Sequence, residues 1–115
     1  MRPVWLCPLR LREPLGPGTA RRWPTYPLEP GTTYVNIGFW GTVPIREGRT
    51  DGDVNRLVET KVSELGGHKS LYSDAYYDPE TFASLYGTAN LEAVKHEVDP
   101  DGRLTGLYEK VVQRR

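Results

Sequence analysis

Residues 66–87 of this chain read GGHKSLYSDAYYDPETFASLYG, and they hold its densest group of side chains able to handle a proton. Read as a strand from Lys69 to Tyr76, the segment places Tyr72, Asp74 and Tyr76 on one side and Leu71, Ser73 and Ala75 on the other. Two phenols and a carboxylate at alternate positions can donate a proton, accept one, or bind a polar ligand. The plainer reading is an ordinary pair on a solvated sheet face. Tyr76 either extends this site towards a substrate or packs against the helix that follows. A second face of mixed character comes from TTYVNIGFWGTVPI, where Tyr34, Asn36, Gly38 and Trp40 alternate with Val35, Ile37 and Phe39. Gly38 leaves a gap that suits close approach by a ligand or another backbone, or else a bulge. Trp5 and Cys7 share one side of VWLCPLRL and either line a pocket or pack as apolar residues. His68 and Lys69 face an anionic group or solvent. Arg21 and Arg22 beside Trp23 either clamp an anion or keep a loop soluble. The single cysteine, with His68 and His96 at unrelated spacings, forms neither an internal disulfide nor a metal site.

The elements that must position these residues follow from periodicity. VWLCPLRL reads as a strand, and Pro8, lacking an N–H, calls for an edge or a bulge. From Glu13 to Gly31 half of the ten prolines defeat regular structure, so the segment is a functional lid, a linker, or a strap lying on another body. Thr32 to Trp40 is a strand whose apolar row, Val35, Ile37 and Phe39, is suited to lie under a helix. Val54, Leu57, Val58, Val62 and Leu65 make one stripe of a helix that Asp51 can cap and Gly66 or Gly67 can end. With the strand at Lys69–Tyr76 this gives a βαβ-like unit. Asp78 and Pro79 start a second helix carrying Phe82, Leu85 and Tyr86, which Gly87 closes. A third helix carries Leu91, Val94 and Val98, with His96 facing water, and DPDG at 99–102 is a turn. A last helix carries Leu104, Leu107, Tyr108, Val111 and Val112. The expected fold is α+β: a small three-stranded, mainly antiparallel sheet covered on one face by a helix, followed by a C-terminal helical tail. Residues 1–77 form the sheet part and 78–115 the tail.

Length and charge narrow the function. A chain of 115 residues builds one modest core and leaves no room for a second, cofactor-binding domain. Fifteen basic residues balance fifteen acidic ones, so no net field recruits nucleic acid. No apolar run approaches the roughly 20 residues of a transmembrane helix, which points to a soluble, cytoplasmic protein.

The run VWLCP, then YVNIG followed by Gly41, then GGHKSLYSDAYYDPETF, and finally Tyr108 with Lys110 and Val111, resemble the C-terminal end of delta-24 sterol reductases, the seladin-like FAD enzymes of the vanillyl-alcohol-oxidase superfamily. The stretch from Gly66 to Leu104 is also similar, more loosely, to the end of decaprenylphosphoryl-ribose oxidases. The resemblance spans nearly the whole sequence, and the order and spacing of four elements carry it. It implies an incomplete part of a larger FAD enzyme fold: the cap segment on the substrate side of the flavin, whose partner is a missing N-terminal FAD-binding domain and whose substrate is a small, lipid-like molecule. It implies catalytic roles for Tyr72 and Asp74, cofactor contacts from Asn36, Tyr72 and His68, the last to a flavin phosphate, and substrate contacts from Trp5, Cys7, Gly38 and Tyr76. The looser relatives have a pocket cysteine where Asn36 stands and a lysine where Ala75 stands, whereas the sterol-reductase branch has carboxylates at the positions of Asn36 and Asp74. The expected reaction is reduction of an isolated carbon–carbon double bond in the tail of a sterol-like lipid, or oxidation of an alcohol. The rival expectation is a free-standing α+β binding or interaction module without redox activity.

Overall fold

The computed structural model describes residues 3–11 and 26–114. Alternating β-branched and aromatic residues form β1 (Val4–Arg10) and β2 (Thr33–Phe39), which pair antiparallel from Val4 opposite Phe39 to Arg10 opposite Thr33. The register runs without a bulge, and Pro8, opposite Val35, is tolerated because each strand of a two-stranded sheet keeps a free edge. Of the proline-rich stretch, residues 12–25, with Arg21, Arg22 and Trp23, lie outside the described residues.

Three α-helices follow: α1 (Asp53–Glu64), α2 (Pro79–Tyr86) and α3 (Thr88–Val98), and then a single π-helical turn at Glu109–Gln113. Helix α1 starts from Gly52, at φ 83°, rather than from an Asp51 cap, and Asp53 bonds back to the Thr50 amide and hydroxyl. It ends where the Gly67 amide reaches the Val62 carbonyl, with Gly66 at φ 73°. Helix α2 begins as expected: an Asp78 carboxylate oxygen accepts from the Thr81 amide at 2.9 Å, Pro79 follows, and Gly87 at φ 57° closes it. The Asp99 carboxylate ends α3, accepting from the Arg103 and Leu104 amides, and holds the 99–102 turn closed. That arrangement keeps Leu104 out of the last helix and 64 % exposed. Among the described residues no helix is long and apolar enough to cross a membrane.

The protein is therefore α+β with a two-stranded antiparallel sheet and several helices. The third strand expected at Lys69–Tyr76 is not formed. Its backbone groups are taken by other partners: the Tyr76 amide donates to both Glu59 carboxylate oxygens, the Ala75 amide to the Val111 carbonyl, and Lys69 Nζ donates to the Asp74 carbonyl. With its last amides and the Lys69 and Asp74 carbonyls engaged in this way, the segment adds no ladder to β2.

The core consists of Ala75, Tyr77, Phe82, Tyr86 and Val111, bordered by Leu71, Leu85, Leu107 and Tyr108. It joins the 75–77 segment to α2 and the C-terminal turn, so the division expected at 77/78 runs through it. Among the described residues no strand approaches a helix closely. The radius of gyration is 16.7 Å, against about 13 Å for a compact domain of this length. Among the described residues no helix lies over the sheet where one is expected. Val35, Ile37 and Phe39 are 54 %, 51 % and 70 % exposed, and the apolar stripe of α1 is exposed as well.

Candidate functional site

Cross-strand pairing gives the sheet two sides of different character. Val4, Leu6 and Pro8 stand opposite Phe39, Ile37 and Val35 and make one side apolar as far as Arg10 and Thr33 at its end. Trp5, Cys7 and Leu9 stand opposite Gly38, Asn36 and Tyr34 on the other. There the Trp5 ring fills the gap at Gly38: a Cβ on Gly38 would come within 3.1 Å of Trp5 Cε3 and 3.6 Å of Trp40 Nε1. The close approach that the glycine permits is made by tryptophan. Cys7 is half-buried, with its Sγ 3.9 Å from the Pro8 carbonyl, and Asn36 opposite it is also half-buried.

At the far end of this side, Tyr34 accepts a hydrogen bond from the Glu29 amide and faces His68 edge to face at 6.3 Å between ring centroids. His68 is further enclosed by Tyr26 at 5.2 Å and Tyr86 at 6.3 Å, and this burial lowers its pKa and favours the neutral imidazole. Three tyrosines from a loop, a strand and a helix thus converge on one imidazole. Tyr86 is far in the sequence from Tyr26 and Tyr34, and no local spacing marks the three as a group.

The other residues of interest lie elsewhere. Tyr72 sits in the turn at 71–73, 66 % exposed, and makes no hydrogen bond among the described residues. Asp74 pairs with Arg114 Nε at 3.2 Å. Tyr76 packs on the start of α1 rather than on the following helix: its ring occupies the space a Cβ at Gly52 would need. Its hydroxyl is 2.6 Å from an Arg114 nitrogen, and Arg56, Arg114 and Lys69 approach its face at 4.9, 5.3 and 5.8 Å. The alternation that groups Tyr72, Asp74 and Tyr76 is thus dissolved by the missing strand. Trp5, Cys7, Asn36 and Gly38 remain together, joined to His68 through Tyr34.

Between these two groups lies a buried ion pair that local sequence does not announce. Glu59 of α1 is 3.0 Å from Lys69 Nζ, and their side chains are 5 % and 21 % exposed. The carboxylate also takes the Tyr76 amide, so one acid fixes the whole 69–76 segment against α1. Next to it, Tyr86 donates its hydroxyl hydrogen to the Lys69 carbonyl, and burial raises its pKa. Tyr77 is 7 % exposed, its hydroxyl has no partner among the described residues, and burial raises its pKa as well. A cleft of about 430 Å³ lies apart from both groups, floored by Phe82, Leu91, Leu107 and Tyr108 between α2, α3 and the C-terminal turn.

A diphosphate-bearing cofactor would look for a helix N-terminus. Here those ends are engaged within the protein: the Tyr76 ring covers Gly52 at the start of α1, Asp78 caps α2, and α3 starts at Gly87, which also closes α2 and so sets that helix's carbonyl end beside it. The described residues therefore do not fit the diphosphate of FAD. The carboxamide, thiol, indole and phenol of the mixed sheet side fit contact with the edge of a ring. No family model, curated protein or solved structure matches this sequence.

Proposed function

We propose that this protein is the substrate-side cap segment of an FAD-linked oxidoreductase whose flavin is held by other polypeptide. The observation that carries the reading is the mixed side of the sheet. Trp5, Cys7, Asn36 and Gly38 stand on it together, with Tyr34 and His68 at one end. Such a wall offers aromatic faces for a flat or lipid-like molecule and a few polar atoms to orient it. It also agrees with the resemblance in order and spacing to the ends of sterol-reductase-like enzymes. The missing diphosphate cradle belongs, in this reading, to the FAD-binding domain, which would also complete the sheet and the larger fold.

A reduced flavin held by the other polypeptide would supply the hydride for reduction of an isolated double bond in the substrate's tail. The residues of this protein bind, orient and donate a proton. Trp5, seated over Gly38, and Cys7 contact the apolar body of the substrate, and Asn36 holds a polar edge of the ring. The proton for the second alkene carbon is assigned to Tyr72, whose hydroxyl is bonded to no described residue and which stands apart from this wall in the exposed turn at 71–73, so the substrate's tail would have to extend beyond the sheet to meet it. Asp74 holds Arg114 and acts as a positioning residue, as does Tyr76 beside it. Alcohol oxidation by the same wall would use Tyr72 in the reverse sense.

The test is coexpression with the flavin-binding polypeptide encoded upstream, purified through a tag on this protein. A yellow complex that reduces a sterol with an isolated double bond in its tail is expected, and Tyr72→Phe should retain the flavin while slowing turnover about 100-fold. A colourless complex, or full activity in the Tyr72 variant, overturns the reading. A second reading, a binding module without redox activity, is favoured by the exposed apolar side of the sheet, and a colourless complex of fixed stoichiometry would support it.

A further inference from the structure

Two apolar surfaces of this protein lie open, and they are of kinds that pack together. One is the sheet side formed by Val4, Leu6 and Pro8 with Val35, Ile37 and Phe39, where the five side chains other than proline are 51–70 % exposed. Arg10 and Thr33 mark its polar end, and no charge interrupts it before that. The other is the stripe of α1: Val54 at 45 %, Leu57 at 60 %, Val58 at 41 % and Leu65, just past its end, at 87 % exposed, with Lys61 among them drawn aside to Glu64 at 2.6 Å. A lone two-stranded sheet needs a covering layer to be stable, and a helix with an apolar stripe is the ordinary cover.

The α1 helix of the same molecule is not free to be that cover. Glu59, on the opposite flank of the helix, is bonded to Lys69 and the Tyr76 amide, which holds α1 against the 69–76 segment with its stripe turned outward. The sheet, meanwhile, meets the helical body through Tyr34 and His68 on its mixed side. The connection from β2 to α1 is exposed from Trp40 to Asp51, and Gly41–Ile45 make no hydrogen bond among the described residues. Covering its own sheet would require the molecule to break either the bonds of Glu59 or the contact of Tyr34 with His68. Covering the sheet of a neighbour requires nothing to break.

We infer that a second copy of this protein supplies the missing layer: α1 of each copy lies across the apolar side of the other's sheet, in a closed two-fold dimer. Reciprocal use of both surfaces satisfies each once per copy and leaves no open end for a filament. The row and the stripe together expose roughly 900 Å² of apolar surface per copy, and burying two-thirds of that on both copies gives about 1,200 Å², the size of a stable interface. The mixed side with Trp5, Cys7, Asn36 and Gly38 stays free, so the dimer is compatible with the proposed cap role and independent of it.

The test is the mass of the protein in solution by analytical ultracentrifugation, a readout that does not depend on flavin. The expected species is a dimer of twice 13.0 kDa. Ile37→Asp on the sheet and Leu57→Asp on the helix should each weaken association at least about 100-fold, because each puts an unpaired carboxylate into the same contact. Both positions are at least half exposed within the monomer, so circular dichroism should show the fold retained. A monomer at all concentrations up to about 100 µM overturns the proposal. So does a dimer lost with Ile37→Asp but intact with Leu57→Asp, since that is a sheet-to-sheet contact. Higher aggregates of no fixed mass overturn it as well.

Discussion

Phe82 and Tyr86 in α2 have no exposed surface, whereas Ile37 and Phe39 in β2, equally suited to a core, leave half or more of theirs in solvent. Both pairs come from segments with clear periodicity, so composition does not separate them. Long-range polar bonds do. The helical half is drawn together by the Ala75 amide on the Val111 carbonyl, by the Tyr86 hydroxyl on the Lys69 carbonyl and by Glu59 on the Tyr76 amide. Each bond satisfies a group that burial would otherwise penalise, and together they close a core around α2. The sheet half has its ladder and the Tyr34–His68 contact but no such closure. An apolar pattern tells where a core can form. Polar anchoring decides where within this protein it does.

The comparison breaks most sharply at Phe82, which touches Tyr86 at 4.8 Å and Tyr108 at 5.2 Å between centroids. Phe82→Ala should cost about 3–5 kcal/mol, a large share of the stability of a small domain, read from the urea midpoint. Phe82→Leu, which fills most of the space, should cost less than half as much and keeps the measurement possible if the alanine variant does not fold. An alanine variant as stable as the parent would show that the helical half has no cooperative core.

Next in size is Glu59. Its removal strands Lys69 and leaves the Tyr76 amide without an acceptor, so Glu59→Ala should cost about 3 kcal/mol. Glu59→Gln retains a carbonyl for the amide and loses the ion pair, and its urea midpoint should fall between those of the parent and the alanine variant. If both variants unfold like the parent, the 69–76 segment is held by packing alone.

Much of this architecture is legible in the sequence. The alternation of Thr33–Phe39, the stripe of α1, and the Asp78–Pro79 start and Gly87 end of α2 are local signals, and each produces the element it announces. The segment Lys69–Tyr76 alternates just as well, yet it is claimed by Glu59, Val111 and Tyr86, which are 10 or more positions away and leave no trace in local spacing. The candidate site divides along the same line. Trp5, Cys7, Asn36 and Gly38 share a side because strand alternation and antiparallel pairing require it. The tyrosines around His68, and the distance of Tyr72 from that group, depend on how the loops close. The stripe of α1 fits a sheet and predicts a helix lying over one. The stripe exists, but Glu59 on its other flank turns it outward.

The smallest expected effect sits at the joint between the two halves. His68 touches Tyr34 of the sheet, Tyr86 of α2 and Tyr26 of the intervening loop, and Lys69 follows it in sequence. No carboxylate among the described residues is bonded to it, and burial holds its folded pKa below the ordinary 6.5. The unfolded state therefore binds the proton more readily, and stability falls as the pH drops through about 6.5, levelling off below the folded pKa. Asp53, Asp78 and Asp99 act in a separate window. Hydrogen bonds from Thr50, Thr81 and Leu104 hold their pKa values below 3.8, so their contribution is present above that value and is lost only in stronger acid. Melting temperatures between pH 7.5 and 5 should thus decline gently in the parent, and His68→Phe, which keeps the ring contacts without the charge, should flatten the decline. An equal decline in the variant would place the titrating group elsewhere. If the decline appears first in near-ultraviolet tyrosine signals while helical content holds, protonation loosens the contact between the halves before either one unfolds. That order is expected, because His68 is buried by rings from both sides of the joint, whereas Phe82 and Glu59 belong to the helical half alone.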